Sequence, residues 1–284
     1  MIFGHCHLFP VGLPDKRDEF GLPGTAEHLY AFMRACGFQQ AQAIAPFEPP
    51  LTAEASSRFD GDGLAWLLSQ PHVGTAADSP LLPVATINPA LPGAMDKLRR
   101  ACGLGVRMLK FHPLILGFDV HSPACGPFLA AAERGRLPIT YHTGSREGWG
   151  QVSESVSPAA CGELARRHPR LPILMAHCGT FGGDAAFAQK GFAQAVAQCE
   201  AHDNLYLEAT NALLPVGETA WRDAVNRLGP GRIVYGRDYP WTSIQMVRDD
   251  VAFLSRIGLD DAGRQLALGG NLRRLWREAD PTAV

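Results

Sequence analysis

The feature that most constrains the fold is an alternation of short β-rich runs with longer stretches of helical periodicity along the whole chain. This order is typical of βα units arranged around a parallel sheet. The eight predicted strands are Ile2 to His7, Ala41 to Ala45, Leu82 to Asn88, Val106 to His112, Leu137 to His142, Ile173 to His177, Leu205 to Ala209 and Ile233 to Asp238. Dividing 284 residues among eight units gives about 35 per unit, which suits a (β/α)8 barrel.

We therefore predict an α/β fold, a distorted (β/α)8 TIM barrel with an extra C-terminal helix. The segment from Asp260 to Ala279 supplies one or two helices that pack over the barrel. No stretch rich in Pro, Gly or Ser is long enough to divide the chain. A single domain over residues 1–284 is the expected organisation.

Composition narrows the classes of function. The chain is 46% hydrophobic and 19% charged, with a net charge of −2, so it can bury a large core and has no global field that would attract a polyanion. Its longest apolar runs are far shorter than the roughly 20 residues of a spanning helix. We expect a small-molecule substrate, no nucleic acid partner, no membrane and a cytoplasmic location; the chain could also form a homodimer.

Polar residues close several of the apolar strands. In a parallel barrel the catalytic groups lie at the carboxyl ends of the strands. His5 and His7 share one side of the first strand because side chains alternate along a strand. The other residues at strand ends are Lys110, His112, His142, His177 and Asp238. Imidazole and carboxylate donors in this number predict a metal site, for which Zn²⁺ is preferred over Mn²⁺, Fe²⁺ or Co²⁺.

These strand ends belong to motifs that resemble a known family. The motifs are His5-Cys6-His7, Gly105 to Pro113, Tyr141 to Gly144, Met175 to Gly179, Tyr235 to Pro240 and Gly270 to Leu275. Their order and spacing resemble the amidohydrolase superfamily. The most similar branch is that of the amidohydrolase-related metal-dependent hydrolases, which also includes aminocarboxymuconate-semialdehyde decarboxylase and dicarboxylate lactonases. The resemblance covers essentially the whole chain.

The resemblance implies roles for individual residues. His5, His7, His142 and Asp238 would bind one divalent metal, and His177 and Asp238 would be catalytic. Two positions depart from the pattern: Gly4 stands where the family commonly has Asp, and Arg237 stands where it commonly has a small residue before the last aspartate.

Lys110 leaves the number of metals open. In two-metal members of the superfamily a carbamylated lysine from the fourth strand bridges both ions, and Lys110 has the matching position. We favour one metal, with Lys110 as a substrate contact. Further predicted substrate contacts are His112, Arg146, Trp149 and Arg237, and Glu208, Thr210 and Asn211 close the seventh strand as additional candidates.

The predicted activity is hydrolysis of an amide, lactone or ester bond of a small, carboxylate-bearing substrate by a metal-activated water. Asp238 would accept the water's proton, and His177 would orient the nucleophile or stabilise the oxyanion. The same residues would also suit a metal-dependent decarboxylase of an aromatic or unsaturated carboxylic acid. A binding module with a vestigial site is a third hypothesis, and it predicts missing ligands.

Overall fold

The computed structural model describes residues 1–10, 22–51, 59–144, 154–182 and 184–284. Its strands are β1 Ile2–Cys6, β2 Gln40–Ile44, β3 Leu81–Thr86, β4 Met108–Phe111, β5 Ile139–Gly144, β6 Ile173–Phe181, β7 Leu205–Glu208, β8 Ile233–Val234 and β9 Gly236–Tyr239. Each strand predicted from the sequence is present, with its ends shifted by a few residues.

The strands form a parallel ring in sequence order. Each strand from β1 to β7 pairs with the next strand in the sequence, and β9 pairs with β1. β8 and β9 are two halves of the eighth predicted strand, interrupted at Tyr235. The Tyr235 amide leaves the sheet and donates to the carbonyl of Ala267 at 2.9 Å. This nearly closed ring confirms the predicted TIM barrel.

Helices surround the ring. They are α1 Ala26–Ala35, α2 Gly63–Leu68, α3 Ala94–Gly103, α4 Pro113–Leu116, α5 Gly126–Arg134, α6 Pro158–Arg167, α7 Ala185–Ala201, α8 Leu213–Val216, α9 Glu218–Leu228, α10 Ile244–Leu254, α11 Asp261–Gln265 and α12 Asn271–Glu278. The side chains of Thr25, Ser157 and Asp184 accept hydrogen bonds from first-turn amides. These caps explain why α1, α6 and α7 begin where they do.

The apolar core has two parts. The larger part lies between the outer face of the strands and the helices. A smaller cluster joins inward residues near the starts of the strands, such as Ile2 and Leu82, to Leu272, Leu275 and Trp276 of α12. The predicted C-terminal helix therefore closes the amino end of the barrel, and the polar strand ends gather at the opposite end.

In the ranges that the structure describes, no helix combines the length and the apolar character needed to cross a bilayer. The single domain, the cytoplasmic location and the homodimer stay predictions.

Candidate metal centre

The closing strands β1 and β9 bring three predicted metal ligands together. Nε2 of His5 lies 3.6 Å from Oδ1 of Asp238, and Nε2 of His7 lies 3.7 Å from the same oxygen. The ligand atoms of His5, His7 and Asp238 all lie within 4.8 Å of one another, and all three residues are buried. Two imidazole nitrogens and a carboxylate oxygen at this spacing fit a divalent transition metal.

An irregular backbone sets this arrangement. Between two paired positions, β1 advances from Gly4 to Cys6 while β9 advances from Gly236 to Tyr239, one residue more. Both His5 (φ 59°) and Asp238 (φ 30°) lie at this irregularity in left-handed conformations, which non-glycine residues seldom adopt. Such strain concentrates at functional sites.

The close approach of the two strands also explains why position 4 is a glycine. A Cβ at position 4 would lie 2.4 Å from the carbonyl oxygen of Tyr235. Any side chain there would push β1 away from the closing strand.

Buried neighbours fix the orientation of His5. Its Nδ1 lies 2.5 Å from Oε1 of Glu208, which also accepts a hydrogen bond from the hydroxyl of Thr210 at 2.8 Å. Its backbone amide donates to the side-chain oxygen of Gln42 at 2.9 Å. A proton on Nδ1 shared with Glu208 leaves the Nε2 lone pair available to a metal.

Gln42 was missed by the sequence reasoning. Its signal was available, because two glutamines interrupt the otherwise apolar strand β2, and a polar residue on a buried strand requires a partner. The sequence alone indicates Glu208 only as a residue that lines the pocket at the end of the seventh strand.

Three more histidines continue the cluster. Nδ1 of His177 lies 3.1 Å from the carbonyl oxygen of Thr210, and its ring centroid is 5.3 Å from that of His5. His142 lies 4.8 Å from His177 between centroids and stacks on His112 at 3.8 Å. Nε2 of His142 is buried and has no hydrogen-bond partner among the described residues. His142, the fourth predicted ligand, does not belong to the group of His5, His7 and Asp238 whose ligand atoms lie within 4.8 Å of one another.

Burial controls the charges of the cluster. It lowers the pKa of His5, His7 and His142 well below the usual range of histidine, and the positive charge of Lys110 lowers each of them further. Neutral imidazole is the form that binds a metal. Burial also raises the pKa of Asp238 to about 7, against the opposing attraction of Lys110. A divalent cation would reverse that shift.

Lys110 lies deep in the same cluster. Its side chain is fully buried, and Nζ is 3.1 Å from Nε2 of His5. Burial lowers the pKa of this amine to about 8, although Glu208 and Asp238 oppose the shift. Lys110 is therefore a neighbour of the metal ligands rather than a residue of the barrel rim.

Arg237, another predicted substrate contact, packs against α10. The guanidinium of Arg237 is buried, forms an ion pair with Asp250 of α10 at 3.2 Å and lies 3.4 Å from the hydroxyl of Thr242. This position favours a structural role over contact with substrate. Arg146 and Trp149 lie outside the described residues.

Comparison with known proteins identifies the family and the fold. A family model described as amidohydrolase matches residues 2–277. No curated protein matches the chain.

Several solved structures share the fold at low identity. An amidohydrolase from Burkholderia multivorans with bound zinc is 15% identical, with a TM-score of 0.69 and coverage of 97% of this chain and 98% of that chain. A probable 2-pyrone-4,6-dicarboxylic acid hydrolase from Acinetobacter baumannii is 13% identical, with a TM-score of 0.66 and the same coverages. A 5-carboxyvanillate decarboxylase from Sphingomonas paucimobilis is 15% identical, with a TM-score of 0.64 and again 97% and 98% coverage.

Proposed function

Because the chain belongs to the amidohydrolase family of metal-dependent enzymes, we propose that it hydrolyses an amide, lactone or ester bond of a small molecule. The observation that carries this proposal is the convergence of His5, His7 and Asp238 within 4.8 Å at the carboxyl end of the barrel. The similar zinc-bound amidohydrolase and the similar pyrone hydrolase support it.

His5, His7 and Asp238 would hold a single ion, with His142 as the proposed fourth ligand. Zinc is the preferred metal because the donors are neutral imidazoles and a carboxylate. A divalent ion at this site would supply Lewis-acid activation of water and of the substrate carbonyl. A two-metal arrangement would require a carbamate on Lys110, whose lowered pKa of about 8 makes the neutral amine more accessible.

Asp238 is the proposed proton acceptor. Its Oδ1 faces His5 and His7, while Nδ2 of Asn211 lies 3.5 Å from Oδ2. The contact with Asn211 would hold the carboxylate while the water's proton transfers to it.

His177 is proposed to orient the attacking water. A carbonyl oxygen can only accept, so the 3.1 Å contact with Thr210 requires a proton on Nδ1. The neutral ring then presents Nε2 as an acceptor. This tautomer favours orienting the nucleophile over donating to the oxyanion, the other role that the sequence suggested.

A second candidate is decarboxylation of an aromatic or unsaturated carboxylic acid. The similar 5-carboxyvanillate decarboxylase favours it, because that enzyme has the same fold. In this reaction the carbon–carboxylate bond breaks, CO₂ leaves, and a proton replaces it on carbon. A protonated Asp238 could supply that proton.

The test combines metal analysis with a substrate panel of lactones, esters, amides and aromatic carboxylates. We expect about one equivalent of metal, hydrolysis of a panel member, and loss of both in His7→Asn. His72→Asn is the matched control because His72 is exposed and lies near the amino end of β3, opposite the carboxyl ends that carry the metal centre. Release of CO₂ without hydrolysis would replace the proposal with the decarboxylase, and full activity without metal would refute both.

A further inference from the structure

A cavity of about 350 Å³ opens beside His177. The end of β6, the start of α7 and the short helix α8 form its walls. The lining residues that matter here are Thr180, Phe181, Asp184, Ala185, Ala188 and Pro215. Its volume lies at the lower end of the range of small-molecule sites. Since His177 forms part of the wall, a molecule reacting at the metal centre could extend directly into it.

The described walls offer few free polar groups. Asn211 also lines the cavity, and its side-chain oxygen is buried with no hydrogen-bond partner among the described residues. The ring of Phe181 lies 4.6 Å from that of His177, and alanine and proline supply further apolar surface. The hydroxyl of Thr180 already donates to the carbonyl oxygen of His177 at 2.7 Å. The cavity therefore favours an apolar group over one that requires several hydrogen bonds.

The charges of the residues that line the cavity also favour an uncharged occupant. Among the described residues that line the cavity, Asp184 is charged and none is a lysine or an arginine. The Asp184 carboxylate accepts a hydrogen bond from the amide of Phe187 at 2.8 Å as the cap of α7. A substrate carboxylate entering here would lose water, would meet no lysine or arginine among the described lining residues, and would approach this negative charge.

We propose that this cavity is the subsite for an uncharged alkyl or aryl group of the substrate, next to the bond that reacts. This inference rests on the proposed function, because the proposed function places the bond that is hydrolysed next to His177. A carboxylate on the same substrate would then bind at another part of the barrel mouth.

Neighbouring alanines give a matched test of size. Ala185 and Ala186 are both exposed near the start of α7, and only Ala185 lines the cavity. In Ala185→Trp we expect kcat/KM for a benzyl ester to fall by about 10-fold or more, while the methyl ester of the same acid changes little. Ala186→Trp should leave both esters unchanged. Equal losses for the two esters, or the same result in both variants, would overturn the subsite.

Binding of benzyl alcohol separates this inference from the hydrolase proposal. Saturation-transfer NMR detects the alcohol without any turnover. We expect binding to the wild type and to Ala186→Trp, and loss of binding in Ala185→Trp. If benzyl alcohol binds in this pattern but no ester is hydrolysed, the subsite stands and the proposed reaction fails. Equal binding to all three proteins would refute the subsite itself.

Asp184→Asn tests the charge, because asparagine also caps a helix. We expect the variant to raise kcat/KM for a 4-carboxybenzyl ester by about threefold relative to the benzyl ester at low salt. A wild-type preference for the 4-carboxybenzyl ester over the benzyl ester would contradict an uncharged occupant.

Discussion

Replacing Glu208 by glutamine should weaken metal binding without unfolding the barrel. The carboxylate contacts Nδ1 of His5 at 2.5 Å and is fully buried, so His5 depends on it for orientation. Glutamine has the same shape and can still accept the Nδ1 proton, but it lacks the negative charge. A hydrogen bond to a charged group contributes about 1.5–3 kcal/mol, against about 0.5–1.5 kcal/mol for a neutral one.

The difference is about 1.5 kcal/mol, which corresponds to roughly 10-fold weaker binding of the metal. This agrees with the roughly 10- to 100-fold effects typical of groups that support metal ligands. Competition with a chromophoric chelator at fixed pH measures the dissociation constant directly.

Glu133→Gln is the matched control. Its carboxylate lies 3.0 Å from Nδ1 of His168, another histidine and glutamate pair, which the metal centre does not include. We expect this variant to bind the metal as the wild type does. An unchanged dissociation constant in a folded Glu208→Gln protein would refute the orienting role of Glu208.

Three further predictions concern other parts of the molecule. His177→Asn should retain its metal and lose about 100-fold or more in turnover; loss of the metal would make His177 a ligand instead. Burial raises the pKa of Asp250 from its usual 3.8 to about 6. The folded protein therefore binds this proton more tightly, and its free energy of unfolding should fall by up to about 3 kcal/mol as the pH rises from about 4 to 6. Urea unfolding of Asp250→Asn across that range should lack this slope; the same slope in both proteins would contradict it. Arg146→Ala should lower kcat/KM by about 10- to 150-fold for anionic substrates only, and an equal effect on neutral substrates would exclude a carboxylate clamp.

Local patterns were enough to predict the barrel. Each strand and its following helix can be recognised from residues close together in the chain, and the barrel rule then collects the strand ends at one edge. This reasoning placed His5, His7 and Asp238 among the polar residues at one end of the barrel, and the resemblance to the amidohydrolase superfamily implied that they bind a metal. It needed no knowledge of the exact backbone path.

The contacts that orient the predicted metal ligands could not be predicted in the same way. Glu208 and His5 are 203 residues apart, and their contact depends on how two non-neighbouring strands face each other across the barrel. The left-handed conformation of His5 follows from the uneven pairing of β1 with β9, which leaves no mark in the residues of either strand alone. For Arg237 the sequence position was misleading. Its place next to Asp238 in the chain predicted a contact with substrate, but its side chain forms an ion pair with Asp250 of α10.

The gap at Tyr235 also bears on the order of folding. The Tyr235 amide is satisfied by Ala267, and α12 closes the amino end of the barrel, so residues that follow every strand in the sequence complete the ring. During synthesis the strands leave the ribosome before this segment does. Until α11 and α12 emerge, Tyr235 would lack its hydrogen bond to Ala267, and the backbone that positions Asp238 would not be fixed. The affinity for metal should therefore arise late, as one of the final events of folding.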